Sequence, residues 1–428
     1  MSIQKKSKIN LDSFKKQVVT AAISGLIVVS PLSISAQESL EARISAMEKA
    51  LSALKSEASK ENKTKQTKAS EKHTYAFGGF IKATASISDY SDGDLASGNV
   101  GRDFYIPGLI PVGGASEGNH FDFSAKETRI NFKSNHELAN GDKLMSFIEM
   151  DFLLSPGGNE RVSNSYNPRV RHAFFKYNNW LFGQTWSTFQ DVGALPESVD
   201  FLASPDGIIF ERQPMVRYTN GPWQVALENS ESTVTPFGGG SRIVTDDSGT
   251  PDFVLKYTHK ADWGHLSAAA LIRTLAYENG SIDDTESSNG LSITGKFKVG
   301  DKNDIRLNLA TGSGMGRYAG LNTANGAVLD VNGNLNAIDS SLYAVAFRHH
   351  WNSQWRTNII ISGMTIDNDT ALTGTGVTES VNSYQINFLY SPVAKLTLGF
   401  GILDATRELE SGQDGDMTRY IFSAKYGF

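Results

Sequence analysis

The sequence predicts an all-β fold: a transmembrane antiparallel β-barrel of about 16 strands, preceded by a short N-terminal helical coiled coil. Three observations carry this expectation. In residues 419–428, apolar or aromatic side chains fall on alternate positions (Tyr420, Phe422, Ala424, Tyr426, Phe428). Arg419, Ser423 and Lys425 lie between them, and Ile421 is the exception. A period of two gives a strand one greasy and one polar face, and about ten residues tilted near 45° cross a bilayer. Second, segments of this kind recur from residue 74 onward, joined by connections that alternate between short and long, which is the outer-membrane arrangement. Third, the N-terminus has the layout of an export signal. A strand that stops on Phe428 is expected to pair with the first strand, because an open edge in lipid leaves backbone groups unsatisfied.

Composition narrows the classes. The 428 residues include 40 glycines and no cysteine, which excludes a disulfide scaffold and a thiolate metal site. The mean hydropathy of −0.28 excludes a bundle of membrane helices. A barrel escapes that test because only alternate residues face lipid.

In chain order, residues 1–36 are expected to be a signal peptide. Lys5, Lys6, Lys8, Lys15 and Lys16 form its basic region, 18–34 is apolar and uncharged, and Ser33, Ser35 and Ala36 offer small residues for cleavage after Ala36. The formal net charge is −6, so with five lysines and one aspartate in 1–36 the remainder is near −10. Residues 37–59 predict a periplasmic coiled-coil helix. Leu40, Ile44, Met47, Leu51 and Leu54 are spaced 4, 3, 4, 3, an a/d seam. No other apolar face accompanies it, so self-association is the natural way to bury it. About three heptads are marginal for a free coil, so something else must hold the copies together. Residues 60–73 are polar and low in complexity, a linker.

Residues 74–428 are the predicted barrel. Tyr75, Phe77, Ile81, Ala83, Ala85 and Ile87 share one face of the first strand, and Phe80, Lys82, Thr84 and Ser86 the other. Fifteen further segments begin near 120, 143, 169, 180, 213, 223, 252, 264, 290, 304, 340, 354, 381, 395 and 418. Long connections are expected at 89–119, 154–168, 187–212, 231–251, 276–289, 312–339, 365–380 and 405–417. Six tryptophans, Trp186 among them, sit at strand ends, the headgroup level of a membrane strand.

A barrel this wide encloses water, and parity assigns polar positions to its lumen. Lys82, Arg129, Arg169, Arg171, Arg217, Arg273, Arg306 and Arg356 are the chief pore-lining candidates, with Lys395, Lys425 and Arg348 on the same faces. The lumen acids are fewer, led by Glu149 and Asp151. Fixed cations in an aqueous channel concentrate anions. Arg169 and Arg171 lie about 6.6 Å apart at a ~3.3 Å rise, a spacing suited to two carboxylates; pairing with Glu149 and Asp151 is the alternative use of the same arginines. The constriction loop is expected at about 187–212, where Val199, Phe201, Leu202, Ile208, Ile209 and Phe210 need burial and Glu197, Asp200, Asp206, Glu211 and Arg212 would reach the lumen. The eight histidines, His172 included, sit in no nucleophile motif and read as surface groups. No metal or cofactor motif is present, and no enzyme is expected. A general or cation-preferring porin, or a loop-based adhesin barrel, are the alternatives.

With these residues in place, the chain resembles the DcaP-like porins of Gram-negative bacteria. The likeness rests on the heptad preface before Tyr75-Ala-Phe-Gly-Gly-Phe-Ile-Lys82, on Arg169-Val-Arg-His-Ala-Phe-Phe175, Gly183-Gln-Thr-Trp186, Ser204-Pro-Asp-Gly207, Arg212-Gln-Pro-Met-Val-Arg-Tyr218, and on Phe428. It implies a homotrimer of sixteen-stranded barrels in the outer membrane, with periplasmic coiled-coil helices, passing small anionic solutes such as dicarboxylates.

Overall fold

The computed structural model describes residues 72–154 and 163–428, with helical positions at 45, 48–50, 52–53 and 55–56. The expected signal peptide, the seam residues Leu40, Ile44, Met47, Leu51 and Leu54, and linker residues 60–71 lie outside the described residues. The chain divides into units 1–69 and 70–428, and the second is the barrel.

Its first half comprises β1 (Lys72–Tyr90), β2 (His120–Ser124), β3 (Arg129–Glu137), β4 (Lys143–Asp151), β5 (Arg169–Tyr177), β6 (Trp180–Trp186), β7 (Arg212–Asn220), β8 (Trp223–Glu228), β9 (Ser232–Thr235) and β10 (Ile243–Thr245). There follow β11 (Asp252–Ala261), β12 (Gly264–Asn279), β13 (Ile282–Val299), β14 (Asn303–Ser313), β15 (Ala327–Leu329), β16 (Leu335–Ala337), β17 (Asp339–His350), β18 (Trp355–Asp367), β19 (Thr378–Val393), β20 (Leu396–Leu409) and β21 (Asp414–Gly427). β1 starts two residues earlier than the sequence pattern placed it.

Seventeen of these strands form one antiparallel sheet, and β1 pairs with β21, which closes it. β2 and β3 are two pieces of one stave, because both pair with β1, at 84–88 and 72–80. The barrel therefore has 16 staves. The break at 125–128 turns Glu127 inward, where it accepts from Thr84 Oγ1 at 2.9 Å. Each stave pairs with a neighbour on either side around the closed ring, so no edge is left open, which is what lipid requires.

The outward positions are apolar and exposed, as at Tyr75, Phe77, Ile81, Phe121, Phe123, Tyr420, Phe422 and Tyr426, whereas the inward ones are buried and largely polar. Trp180, Trp223, Trp263 and Trp355 stand exposed at the short-turn ends and pack on Tyr218, Tyr257, Phe297 and Tyr390. Trp186 departs from this belt and turns inward.

Two connections expected to be loops are strand. β12 and β13 run on to Asn279 and Ile282 around Gly280 (φ +64°), and β20 and β21 to Leu409 and Asp414. Beyond the bilayer no lipid selects apolar side chains on one face, so the ladder continues while the alternation that signals it fades. Ile421, the exception to alternation in the last strand, is buried against Val199 and Leu389.

The core lies inside the barrel and is supplied by loops. Tyr90, Tyr105 and Ile110 pack on Val381, Leu403 and Met417. A four-stranded sheet, ordered β10-β9-β15-β16 with β9 and β15 parallel, covers Leu275 and Tyr277. A larger cluster joins Phe189 and Ile209 to Met315, Tyr318, Leu342 and Met364.

Candidate functional site

Segment 187–211 leaves β6, runs through the barrel interior and returns to β7. Its apolar residues are buried, as the sequence required: Val199 packs on Ile421, and Leu202 and Ile208 on Ala344. Its backbone is held by inward side chains around the wall. Lys256 Nζ donates to Gln190 O (2.7 Å), Asn308 Nδ2 to Ala194 O (3.1 Å) and Lys82 Nζ to Val199 O (2.8 Å), while Val199 N donates to Asn387 Oδ1 (3.0 Å). Arg306 donates to Leu195 O.

The acids of the segment are anchors. Asp206 is fully buried and accepts from Ser362 Oγ (3.0 Å) and Ser383 Oγ (2.9 Å). Its neighbour Gly207 sits where a Cβ would lie 2.1 Å from Tyr343 O, so only glycine lets the backbone approach this closely. Asp200 accepts from Tyr105 N at 3.0 Å. Burial holds the Asp206 carboxyl up to about 7 and raises that of Asp200. At neutral pH Asp206 therefore carries less than a full negative charge. Glu197 takes Arg356 Nε (2.9 Å) and Arg348 Nη1 (3.4 Å).

The wall groups form three ion-pair clusters. In the first, Arg169 grips Asp151 with Nε (2.9 Å) and Nη2 (2.8 Å), and Arg171 bridges Glu149 (2.8 Å) and Asp151 (2.9 Å). Arg129 reaches Glu149 only at 3.9 Å. In the second, Asp304 receives Arg306 (2.8 Å), Arg348 and Lys296 (3.8 Å). In the third, Lys82 pairs with Glu127 at 2.7 Å. Together with Arg273–Asp252 and the Glu197 pairs, nine basic side chains share six carboxylates. The network thus carries surplus positive charge.

Of the chambers that flank the segment, two border the cluster of Arg129, Arg171 and Arg212. One, of about 640 Å³, lies toward the short turns; Phe80, Arg129, Trp186, Phe201, Lys395 and Lys425 are among its walls. The other, of about 480 Å³, lies toward the long loops and is lined by Glu211, Arg212, Glu231, Arg242 and Arg317. Phe210 lines both. Arg212 lies over the Trp186 ring at 4.8 Å, and Trp186 packs on Phe210 at 4.8 Å between centroids.

The structure sorts the residues singled out from sequence. Lys82, Arg129, Arg171 and Arg356 line the first chamber and Arg212 the second. Arg169 and Arg306 point inward but line neither. Arg217 and Arg273 hold loops: Arg217 donates to Thr188 Oγ1 (2.7 Å) and Trp186 O (2.5 Å), and Arg273 to Glu231 O (2.5 Å) and Met315 O (3.3 Å). Arg212 opens β7 and lies outside the loop proper. Arg169 and Arg171 are not a free pair of forks, since both are bound to Glu149 and Asp151.

His172, read as a surface group, is buried. A bulge opposite Glu149 and Met150 turns both Arg171 and His172 inward, and His172 Nδ1 meets Thr185 Oγ1 at 3.0 Å. The parity slip in Arg169-Val-Arg-His is the one signal that announces it. Phe80 and Phe201 were not recognised from sequence as partners of Arg129, whose guanidinium carbon lies 5.1 and 5.6 Å from their centroids; an inward aromatic on an otherwise polar face was the available sign.

Comparison with known proteins bears on this geometry. A family model described as DcaP outer membrane protein matches residues 40–428. Among solved structures, the outer membrane channel DcaP of Acinetobacter baumannii is similar at 25% identity and a TM-score of 0.68, covering 83% of this chain and 97% of that one. The anion-selective porin of Comamonas acidovorans shares the fold at 10% identity and a TM-score of 0.53, covering 83% and 100%. No curated protein matches the sequence.

Proposed function

The chain belongs to the DcaP outer membrane protein family and is an outer-membrane channel; on that premise we propose that it passes small anionic solutes, dicarboxylates among them, by passive diffusion. The observation that carries this reading is the charge surplus of the interior, nine cations on six carboxylates, set around an inward-folded segment. In a water-filled passage with low-dielectric walls, such a surplus raises the local anion concentration and repels cations. Segment 187–211 acts as the constriction, and its acids do not reverse the sign, because Glu197 is neutralised by Arg348 and Arg356 and Asp206 is partly protonated. Arg129, Arg171 and Arg212, set beside Trp186, Phe201 and Phe210, form the narrow part. Binding stays weak, since a channel that holds its solute tightly does not conduct.

The assembly proposed is a homotrimer, exported through the signal peptide of residues 1–36 and steadied in the periplasm by residues 37–59. The a/d seam supports it, together with the lipid-facing apolar band that can supply the remaining contact. Proteoliposome swelling tests the transport reading. Succinate should enter faster than a neutral sugar of similar size; equal rates, or sugar preference, contradict it.

A further inference from the structure

We propose that the chamber on the short-turn side is a retention site for dianionic carboxylates, built on Arg129, Lys395 and Lys425. The inference rests on the anion-channel reading above and names where the anion dwells. What sets these three cations apart is how they are held. Lys82 and Arg356, on the same wall, are neutralised by Glu127 at 2.7 Å and by Glu197 at 2.5 Å. Among the described residues no carboxylate lies within 4 Å of Lys395 or Lys425, and Arg129 has only Glu149 at 3.9 Å, which Arg171 already occupies at 2.8 Å.

Two of the three are steadied by a ring. Lys425 Nζ lies 4.3 Å and the Arg129 guanidinium carbon 5.1 Å from the centroid of Phe80. An aromatic face attracts a cation through its quadrupole but brings no net charge. Phe80 therefore fixes both groups in place without cancelling either. Arg129 Nε is also buried with no hydrogen-bond partner, and a buried donor left unpaired is costly until an acceptor arrives. Placed cations, an unmet donor and about 640 Å³ of space suit a small solute with two negative charges better than one with a single charge. Gly427, Phe428 and the 394–395 turn line the same chamber, and short turns face the periplasm in barrels of this kind. The site thus extends from the short-turn mouth up to Arg129 at the near edge of the constriction, and a solute reaches it from the periplasm without passing through.

The test uses the full chain inserted in one orientation in planar bilayers, with succinate or butyrate added to one side at fixed salt. Succinate on the short-turn side should reduce the current at about one tenth the concentration needed for butyrate, or for succinate on the opposite side; tenfold corresponds to ~1.4 kcal/mol. Lys395→Gln with Lys425→Gln should remove that advantage, and Lys395→Arg with Lys425→Arg should keep it. Heat-modifiable migration verifies that each barrel is folded. An anion-selective wild type whose block is the same from both sides, or is unmoved by the glutamine pair, overturns the retention site alone. A cation-selective wild type overturns the reading beneath it as well.

Discussion

Replacing Arg169 and Arg171 together by alanine tests whether the charge surplus acts on passing ions. Arg129, Arg169 and Arg171 face Glu149 and Asp151, a formal sum of +1. The double variant leaves −1. At ~5 Å and a water-like dielectric, each unit charge is worth ~0.8 kcal/mol to a monovalent ion. Two charges, reduced by screening over a Debye length of ~10 Å, come to ~1 kcal/mol. This term has opposite signs for chloride and potassium, so their permeability ratio shifts by ~2 kcal/mol and chloride-to-potassium preference should fall about thirtyfold. Asp151 is fully buried and would lose both its arginines, keeping only the Leu153 N–H at 3.3 Å. If it takes up a proton in response, the change falls to one charge and the ratio shifts by about fivefold. Reversal potentials in a potassium chloride gradient read the ratio, and swelling assays read succinate against a neutral sugar. Glu149→Gln with Asp151→Asn moves the sum to +3 and should raise anion preference. An unchanged reversal potential in the arginine variant, or equal loss of sugar and succinate entry, means that the two arginines only stiffen the wall.

Three further outcomes follow from the segment and the chain's two units. Gly207→Ala brings a Cβ to 2.1 Å from Tyr343 O and 2.7 Å from Ser362 Cβ, so the tip must lift, at a cost of ~1–3 kcal/mol; single-channel recordings should show larger, noisier conductance, and unaltered traces would show that the tip does not set the bore. The Asp206 carboxyl is raised from 3.8 to about 7 by burial, so docking is firmest when it is protonated, weakens as pH climbs from about 4 to about 7 and levels off above; current noise should grow between pH 4 and 7, Asp206→Asn should flatten that dependence, and noise that falls with rising pH contradicts the assignment. Deleting residues 37–69 should loosen the trimer in mild detergent while the barrel stays heat-modifiable; a wild type that is strictly monomeric would end the trimer proposal.

The barrel was legible because lipid imposes period two on the staves, and the segments from residue 74 to 428 keep it with few exceptions. What escaped were places where another surface replaces lipid. β12 and β13 extend past the bilayer, where polar residues occupy both faces. Ile421 breaks the alternation because Val199 presents a second apolar surface inside the barrel. Parity assigns the cations to the inward face, yet parity says nothing of partners. Whether Arg171 is free or bound depends on Glu149 and Asp151 standing in register across a bulge, and Lys82 is paired where Lys425 is not because Glu127 turns toward it.

The central claim is that the interior selects anions, and the zero-current potential of the wild-type channel tests it most directly. With tenfold more potassium chloride on one side of a planar bilayer, the account predicts a potential whose sign reports chloride as the more permeant ion, shrinking as salt rises and screens the wall charges. A potential of the opposite sign, reporting potassium, contradicts it.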